Sequence, residues 1–106
     1  MKRGEVWCVS FDPSVGTEIQ KTRPAVIVST TIANQKLPRV VVLPITSNVE
    51  RVFKCHFRVD VNGRPGKAMA DQILAADKSR IKAYICTLTK AEMREMDQTL
   101  KLHLGL

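Results

Sequence analysis

The sequence predicts a mainly β, α+β domain: a small, strongly bent antiparallel sheet or barrel finished by one C-terminal helix. Three observations predict it. Short runs rich in Val and Ile recur along most of the chain, turn residues separate them, and the hydrophobic period becomes helical only near the C-terminus. No repeat, low-complexity tract or linker divides the 106 residues, so positions 1–106 are expected to form one domain. A chain of this length can bury one core without a metal or a disulfide.

The elements follow in order. Val6–Phe11 is the first β run. The stretch 12–22 is polar and broken by Pro13 and Gly16, too irregular for a strand and long for a plain connection, and loops of that length usually serve a site. Ala25–Ser29 and Val40–Ile45 are apolar almost throughout, which suits strands covered on both faces. Phe53–Val61 alternates without a break, so one face packs inward and Lys54, His56 and Arg58 face solvent. Asn62-Gly63 opens a tight turn. Ala68–Ile73 is a fifth run and Ala83–Leu88 a sixth. Thr89-Lys90-Ala91-Glu92 then spells a capping box, and Ala91, Met93, Met96 and Leu100 form the apolar stripe of a helix lying on a sheet.

Charge narrows the partners. Seventeen Lys and Arg against ten Asp and Glu leave +7, which suits a polyanion such as nucleic acid and equally suits plain solubility. The surplus sits early: residues 1–39 carry six basic and three acidic side chains, 40–67 five and two, 68–106 six and five. No apolar run approaches the roughly 20 residues of a membrane span and the N-terminus lacks an apolar signal core, so a cytoplasmic protein without membrane contact is expected. Cys8, Cys55 and Cys86 stand apart with no C-x-x-C pair, which reads as small core or strand residues in a reducing compartment.

Several chemistries are excluded. The P-loop, G-x-S-x-G, H-E-x-x-H and dinucleotide fingerprints are all missing, so neither a metal nor a nucleotide cofactor is expected. The two histidines, His56 and His103, read as surface residues, since a paired-histidine nuclease needs both to converge. Aromatic residues make up only 5% of the chain, and Trp7 and the phenylalanines read as core, so recognition should rest on hydrogen bonds and charge more than on stacking.

Two polar features stand out. Arg23 precedes Pro24, which favours an extended backbone and mounts a guanidinium where the long loop enters an apolar strand. Thr46 and Ser47 follow Val40–Ile45 directly after Pro44, a residue tolerated at a sheet edge or strand end. Taken singly, such an arginine also fits a surface ion pair, and Thr-Ser also fits a turn.

Five ordered blocks carry a resemblance. Arg3-Gly4-Glu5-Val6-Trp7, the segment from Phe11 to Glu18, Arg23-Pro24-Ala25-Val26-Ile27-Val28-Ser29, Pro44-Ile45-Thr46-Ser47, and Ala70-Asp71-Gln72-Ile73 with Asp77-Lys78-Ser79-Arg80 resemble the MazF/PemK family of toxin endoribonucleases across essentially the whole chain. The resemblance implies a small SH3-like barrel, a homodimer, metal-independent cleavage of single-stranded mRNA to 2′,3′-cyclic phosphate and 5′-hydroxyl ends, and a MazE-like antitoxin that blocks the RNA groove and joins the toxin on DNA. It also implies that Arg23 and Thr46 form the catalytic centre, with Glu18 accepting a proton or orienting Arg23.

A guanidinium offers paired donors to a phosphate and a hydroxyl adds one more. Lys21, Arg51, Lys54 and Arg64 are expected to follow the RNA backbone, while Ser47, Asn48 and Gln72 border the groove, the two amides reading base edges. The chain departs from common family patterns at 47–52 and at Gly66-Lys67, where many relatives carry a serine, so the cleavage motif is not fixed by resemblance. A binding-only toxin of the same fold, like the gyrase poison CcdB, is the alternative function, and an inactive relative that only binds nucleic acid is a third.

Overall fold

The computed structural model describes residues 1–11 and 21–106. Their elements are β1 (Glu5–Ser10), β2 (Thr22–Ile27), α1 (Thr31–Lys36), β3 (Arg39–Thr46), β4 (His56–Val61), β5 (Arg64–Met69), β6 (Leu74–Asp77), β7 (Ile81–Thr87) and α2 (Lys90–Leu104), with 3₁₀ turns at Ala70–Gln72 and Lys78–Arg80. The strands pair antiparallel in the order β4-β5-β3-β2-β1-β7, and β6 pairs with the first half of β3. Register shifts between β1 and β7 at Val6/Trp7 and Cys8/Val9 add local twist, so the sheet curls into the expected open barrel.

Burial on both faces explains why β2 and β3 are apolar almost throughout. One cluster, including Val6, Val26, Leu43, Ile45, Phe57 and Val59, receives Met96 and Leu100 of α2. The other gathers Val9, Phe11, Ala25, Ile27, Val40 and Val42 on the opposite side. Thr89 caps α2 with both capping-box hydrogen bonds, and Glu92 also accepts from the Asp60 N–H at 2.7 Å, tying the helix start to β4.

Two prolines decide where the sheet opens. The Val28 N–H donates to Val41 O, so alternation along the β2–β3 ladder directs the nitrogen of residue 24 toward β3. Pro24 has no hydrogen to give there, and β2–β3 pairing stops at Ala25↔Pro44. By the same alternation the nitrogen of Pro44 faces away from β2, into the interval where β3 has left β6 at Val42↔Leu74 and has not yet met β5 at Ile45↔Ala68. Pro24 thus ends the β2–β3 ladder, whereas the missing donor of Pro44 falls between two partners and costs no ladder bond, and past the pair β2 stays with β1 while β3 swings over to β5.

Several expectations need correction. The second strand begins at Thr22 and ends at Ile27, so Arg23 and Pro24 lie inside it, and Pro44 is buried inside β3 rather than at an edge or end. Ser29 leaves the sheet to receive the Val41 N–H and to bond Asn34, the buried side chain of α1, a helix the sequence did not announce. The run Phe53–Val61 is a strand only from His56. Before it, the His56 N–H donates to Phe53 O and closes a turn that leaves Lys54 and Phe53 exposed, so Phe53 is not core. Ala68–Ile73 is also divided: β5 covers Arg64–Met69, Ala70–Gln72 is a 3₁₀ turn, and β6 follows. The sixth run, expected at Ala83–Leu88, is β7 at Ile81–Thr87.

The opening block turns out to be scaffold. Arg3 donates to Val28 O at 2.8 Å and to Asp97 of α2 at 2.6 Å, bolting helix to sheet. Glu5 accepts from the Lys2 N–H and from the Trp7 indole. Gly4 has φ +91°, a backbone conformation that calls for glycine, and a Cβ there would stand 2.5 Å from Met93 Sδ, so the end of that side chain would also have to shift. Gly4→Ala is expected to destabilise the protein by about 1–3 kcal/mol, read as a lower urea midpoint with unchanged slope.

Candidate functional site

The parting of β2 from β3 leaves a groove of about 650 Å³. Its walls combine the start of β2, the end of β3 and the β4–β5 hairpin, with Ile85 of β7 closing the side. The hairpin turn has Asn62 at φ +50° and Gly63 at φ +86°, the tight turn its dipeptide predicts. The Asn62 side chain donates to Ile85 O at 3.3 Å and so spans the barrel's open edge.

Charge and hydroxyls collect here. Lys21, Arg23 and Arg64 line the groove with Thr46 and Ser47, and no Asp or Glu is among its described lining residues. Thr46 Oγ1 accepts from the Asn48 N–H at 3.3 Å, which leaves the hydroxyl hydrogen to donate outward. Lys21 sits at φ +67°, an uncommon conformation for a lysine, and its carbonyl receives the Phe11 N–H at 2.9 Å. Apolar Pro24, Val61, Pro65 and Ile85 add surface suited to the flat faces of bases. The arrangement fits a phosphodiester held between a guanidinium and a hydroxyl, with nearby cations offsetting its charge.

Five of the residues singled out in the sequence, Lys21, Arg23, Thr46, Ser47 and Arg64, thus share one groove. The others divide. Asn48, Arg51 and Lys54 stand exposed on the loop 47–55 beside it and do not line it. Gln72 is on the 3₁₀ turn after β5, with Nε2 3.7 Å from Met69 Sδ, and also lies outside the lining. Glu18 falls outside the described residues. Sequence reasoning missed Asn62 and Gly66. The Asn-Gly turn signal marked the hairpin but not which strand end it would face. A Cβ on Gly66 would come within 2.9 Å of Ile45 Cγ2 and 3.2 Å of Thr46 O, so this glycine lets β5 approach β3 beside Thr46.

A second polar cluster lies at the other end of β4. Cys55, His56 and Asp71 have donor atoms within 4.8 Å of one another. His56 is not the solvent-facing residue expected: its side chain is 7% exposed, and Nε2 lies 3.3 Å from Asp71 Oδ1. His56 Nδ1 accepts the Phe53 N–H, so Nε2 carries the hydrogen and donates to Asp71. A metal on Nε2 would have to displace that hydrogen, and the cluster reads instead as a tie between β4 and the 3₁₀ turn. Burial, and then the charge of Asp71, pushes the Cys55 thiol up, away from the reactive thiolate. Cys55 should therefore alkylate more slowly than an ordinary thiol at neutral pH. Asp71→Asn removes the raising charge beside Cys55, so its alkylation rate should begin to climb at lower pH, read by mass spectrometry of the labelled peptide.

Comparison with known proteins is consistent along the whole chain. Residues 2–104 match the family described as PemK-like, MazF-like toxin of type II toxin-antitoxin system. Endoribonuclease MazF9 of Mycobacterium tuberculosis is 37% identical over 117 aligned positions, spanning all of this chain and 98% of the relative. Among solved structures, MazF of Deinococcus radiodurans superposes with a TM-score of 0.88 at 22% identity, covering 100% of this chain and 97% of that one. An endoribonuclease from a mycobacterial species, solved in complex with its cognate antitoxin, superposes at 0.84 with 23% identity, covering 100% and 96%.

Proposed function

The chain belongs to the PemK-like, MazF-like toxins of type II toxin–antitoxin systems, and from that membership and its groove we propose that it is a sequence-specific, metal-independent endoribonuclease acting on single-stranded mRNA. The observation that carries the reading is that Arg23 and Thr46, far apart in sequence, line one groove with Lys21 and Arg64.

The chemistry needs no cofactor. The 2′-oxygen attacks the adjacent phosphorus, the bond to the 5′-oxygen breaks, and a 2′,3′-cyclic phosphate and a 5′-hydroxyl result. The 2′-hydroxyl gives up its proton and the departing 5′-oxygen takes one. Arg23 neutralises charge growing on the nonbridging oxygens, and Thr46 donates to the same phosphate with its hydroxyl oriented by the Asn48 N–H. Glu18 is assigned as proton acceptor or as the group that orients Arg23. Lys21, Arg51, Lys54 and Arg64 follow the RNA backbone, and Ser47, Asn48 and Gln72 meet the bases. Bases reach such a groove only when splayed from a single strand.

The remaining assignments follow the same reading. The 106 residues act as one toxin domain in the cytoplasm, paired as a homodimer with the groove at or near the interface. Among the described residues no helix is long and apolar enough to cross a membrane. A MazE-like antitoxin, contributing an acidic, partly disordered segment, competes with RNA for the basic groove, and the complex binds DNA.

The purified protein is expected to cut a long unstructured RNA in EDTA at a recurring short sequence. Arg23→Ala and Thr46→Ala should each lower the rate about 10²-fold or more while the melting curve stays that of a folded domain. Cutting that requires a divalent metal or survives both substitutions overturns the assignment. Intact RNA together with inhibited DNA supercoiling would favour the gyrase-binding alternative, and salt-sensitive RNA binding without products would leave a binding-only relative.

A further inference from the structure

Lys67 is the buried cation that the proposed chemistry leaves unexplained. It is 8% exposed, in β5, directly across from Thr46 of β3 and Arg58 of β4. Cross-strand partners share a face, so Lys67 lies beside Thr46 on the side of the sheet opposite Ile45, Phe57 and Ala68. Among the described residues no carboxylate stands within ion-pair distance of its ammonium, which donates instead to the backbone carbonyl of Arg51 at 2.5 Å. Burying an ammonium against a neutral carbonyl, with the like charge of Arg58 next to it, costs more than an apolar side chain of the same length would. The contact it makes is thus the feature to explain.

That contact reaches the middle of the loop 47–55. Most of the loop is exposed, with only Val49, Val52 and Cys55 half-buried. Its first turn is held to the site itself: the Asn48 N–H donates to Thr46 Oγ1, and the Glu50 N–H to Asn48 Oδ1. Lys67 fixes the following residue from below. The Thr46 hydroxyl, the Asn48 side chain, the Arg51 carbonyl and the Lys67 ammonium therefore form one connected path that returns to Thr46 through the β3–β5 pairing.

We infer that Lys67 is a positioning residue that clamps the loop 47–55 beside Thr46 through the Arg51 carbonyl, and that it thereby sets which bases next to the cut are accepted. The inference rests on the nuclease reading for its second half only. The clamp itself can be tested without RNA, because the bonded carbonyl belongs to the Arg51–Val52 peptide that trypsin cuts.

The test compares wild type with Lys67→Met, which keeps the stem and loses the donor, and Lys67→Arg, which keeps it. Tryptic nicking after Arg51, referenced to nicking after Arg94 in the same sample, should rise about tenfold or more in Lys67→Met as the local opening becomes easier, and return toward wild type in Lys67→Arg. On RNA, end mapping should show Lys67→Met losing about fivefold or more of the discrimination between the preferred site and its single-base neighbours, with KM rising more than kcat falls. Unchanged nicking and an unchanged cleavage motif in a folded Lys67→Met would overturn the inference. So would faster nicking with an unchanged motif, which reduces the clamp to a structural tie. If wild type cuts no RNA, the nuclease reading fails and with it the assignment of base choice, while the nicking result still decides the clamp. Should Lys67→Met not fold, Lys67→Gln takes its place, and loss of folding in both would overturn the inference by making Lys67 a requirement of the barrel.

Discussion

The break in the β2–β3 ladder is the constraint on which the rest of this molecule depends. Backbone donors in a sheet interior must be paired, and a strand that lacks one cannot continue its ladder at that point. Pro24 ends the pairing of β2 with β3, and Pro44 occupies the interval where β3 exchanges β6 for β5. The sheet opens there into a groove instead of closing as a uniform barrel. Arg23 and Thr46 lie immediately beyond the break on the two diverging strands, so the irregularity that opens the groove also mounts a guanidinium and a hydroxyl on its walls.

Rigidity around the opening comes from backbone and small residues. Gly66 lets β5 close on the Thr46 backbone, the Asn62-Gly63 turn brings the hairpin tip against β7, and the Asn48 N–H fixes the acceptor side of the Thr46 hydroxyl. Glu92 links the start of α2 to β4, and Arg3 links its later turns to the end of β2. A group that must meet a phosphate in one orientation gains from such preorganisation, because little has to be reordered when substrate arrives. The loop 47–55 has fewer apolar anchors than the strands it joins and leans on polar contacts, among them the bond from the buried Lys67 to the Arg51 carbonyl.

Much of this was legible in the sequence, and the misses are instructive. The capping box and the Asn-Gly turn are local signals, and both formed as read. The period-2 alternation of Phe53–Val61 begins three residues before the real start of β4 at His56, because the pattern cannot see that Phe53 and His56 close a turn. His56 departs from the solvent-facing position that alternation predicts for a related reason: it is covered and meets Asp71, on a 3₁₀ turn that periodicity reads as strand. Pro44 signals an edge or a strand end in the sequence and yet lies inside β3, because only a register reveals which side of a strand has lost its neighbour.

By itself the sequence determined the fold class, the terminal helix with its cap, the basic surplus of its first two thirds, and the residue blocks that mark its family. These rest on local chemistry and order along the chain. Only the tertiary structure decided which basic and hydroxyl groups share a groove, that Asn48, Arg51, Lys54 and Gln72 stand outside its lining, and that Lys67 is buried beneath the neighbouring loop. Those facts depend on strand register and on where a ladder stops, and both are set by contacts between residues far apart in sequence.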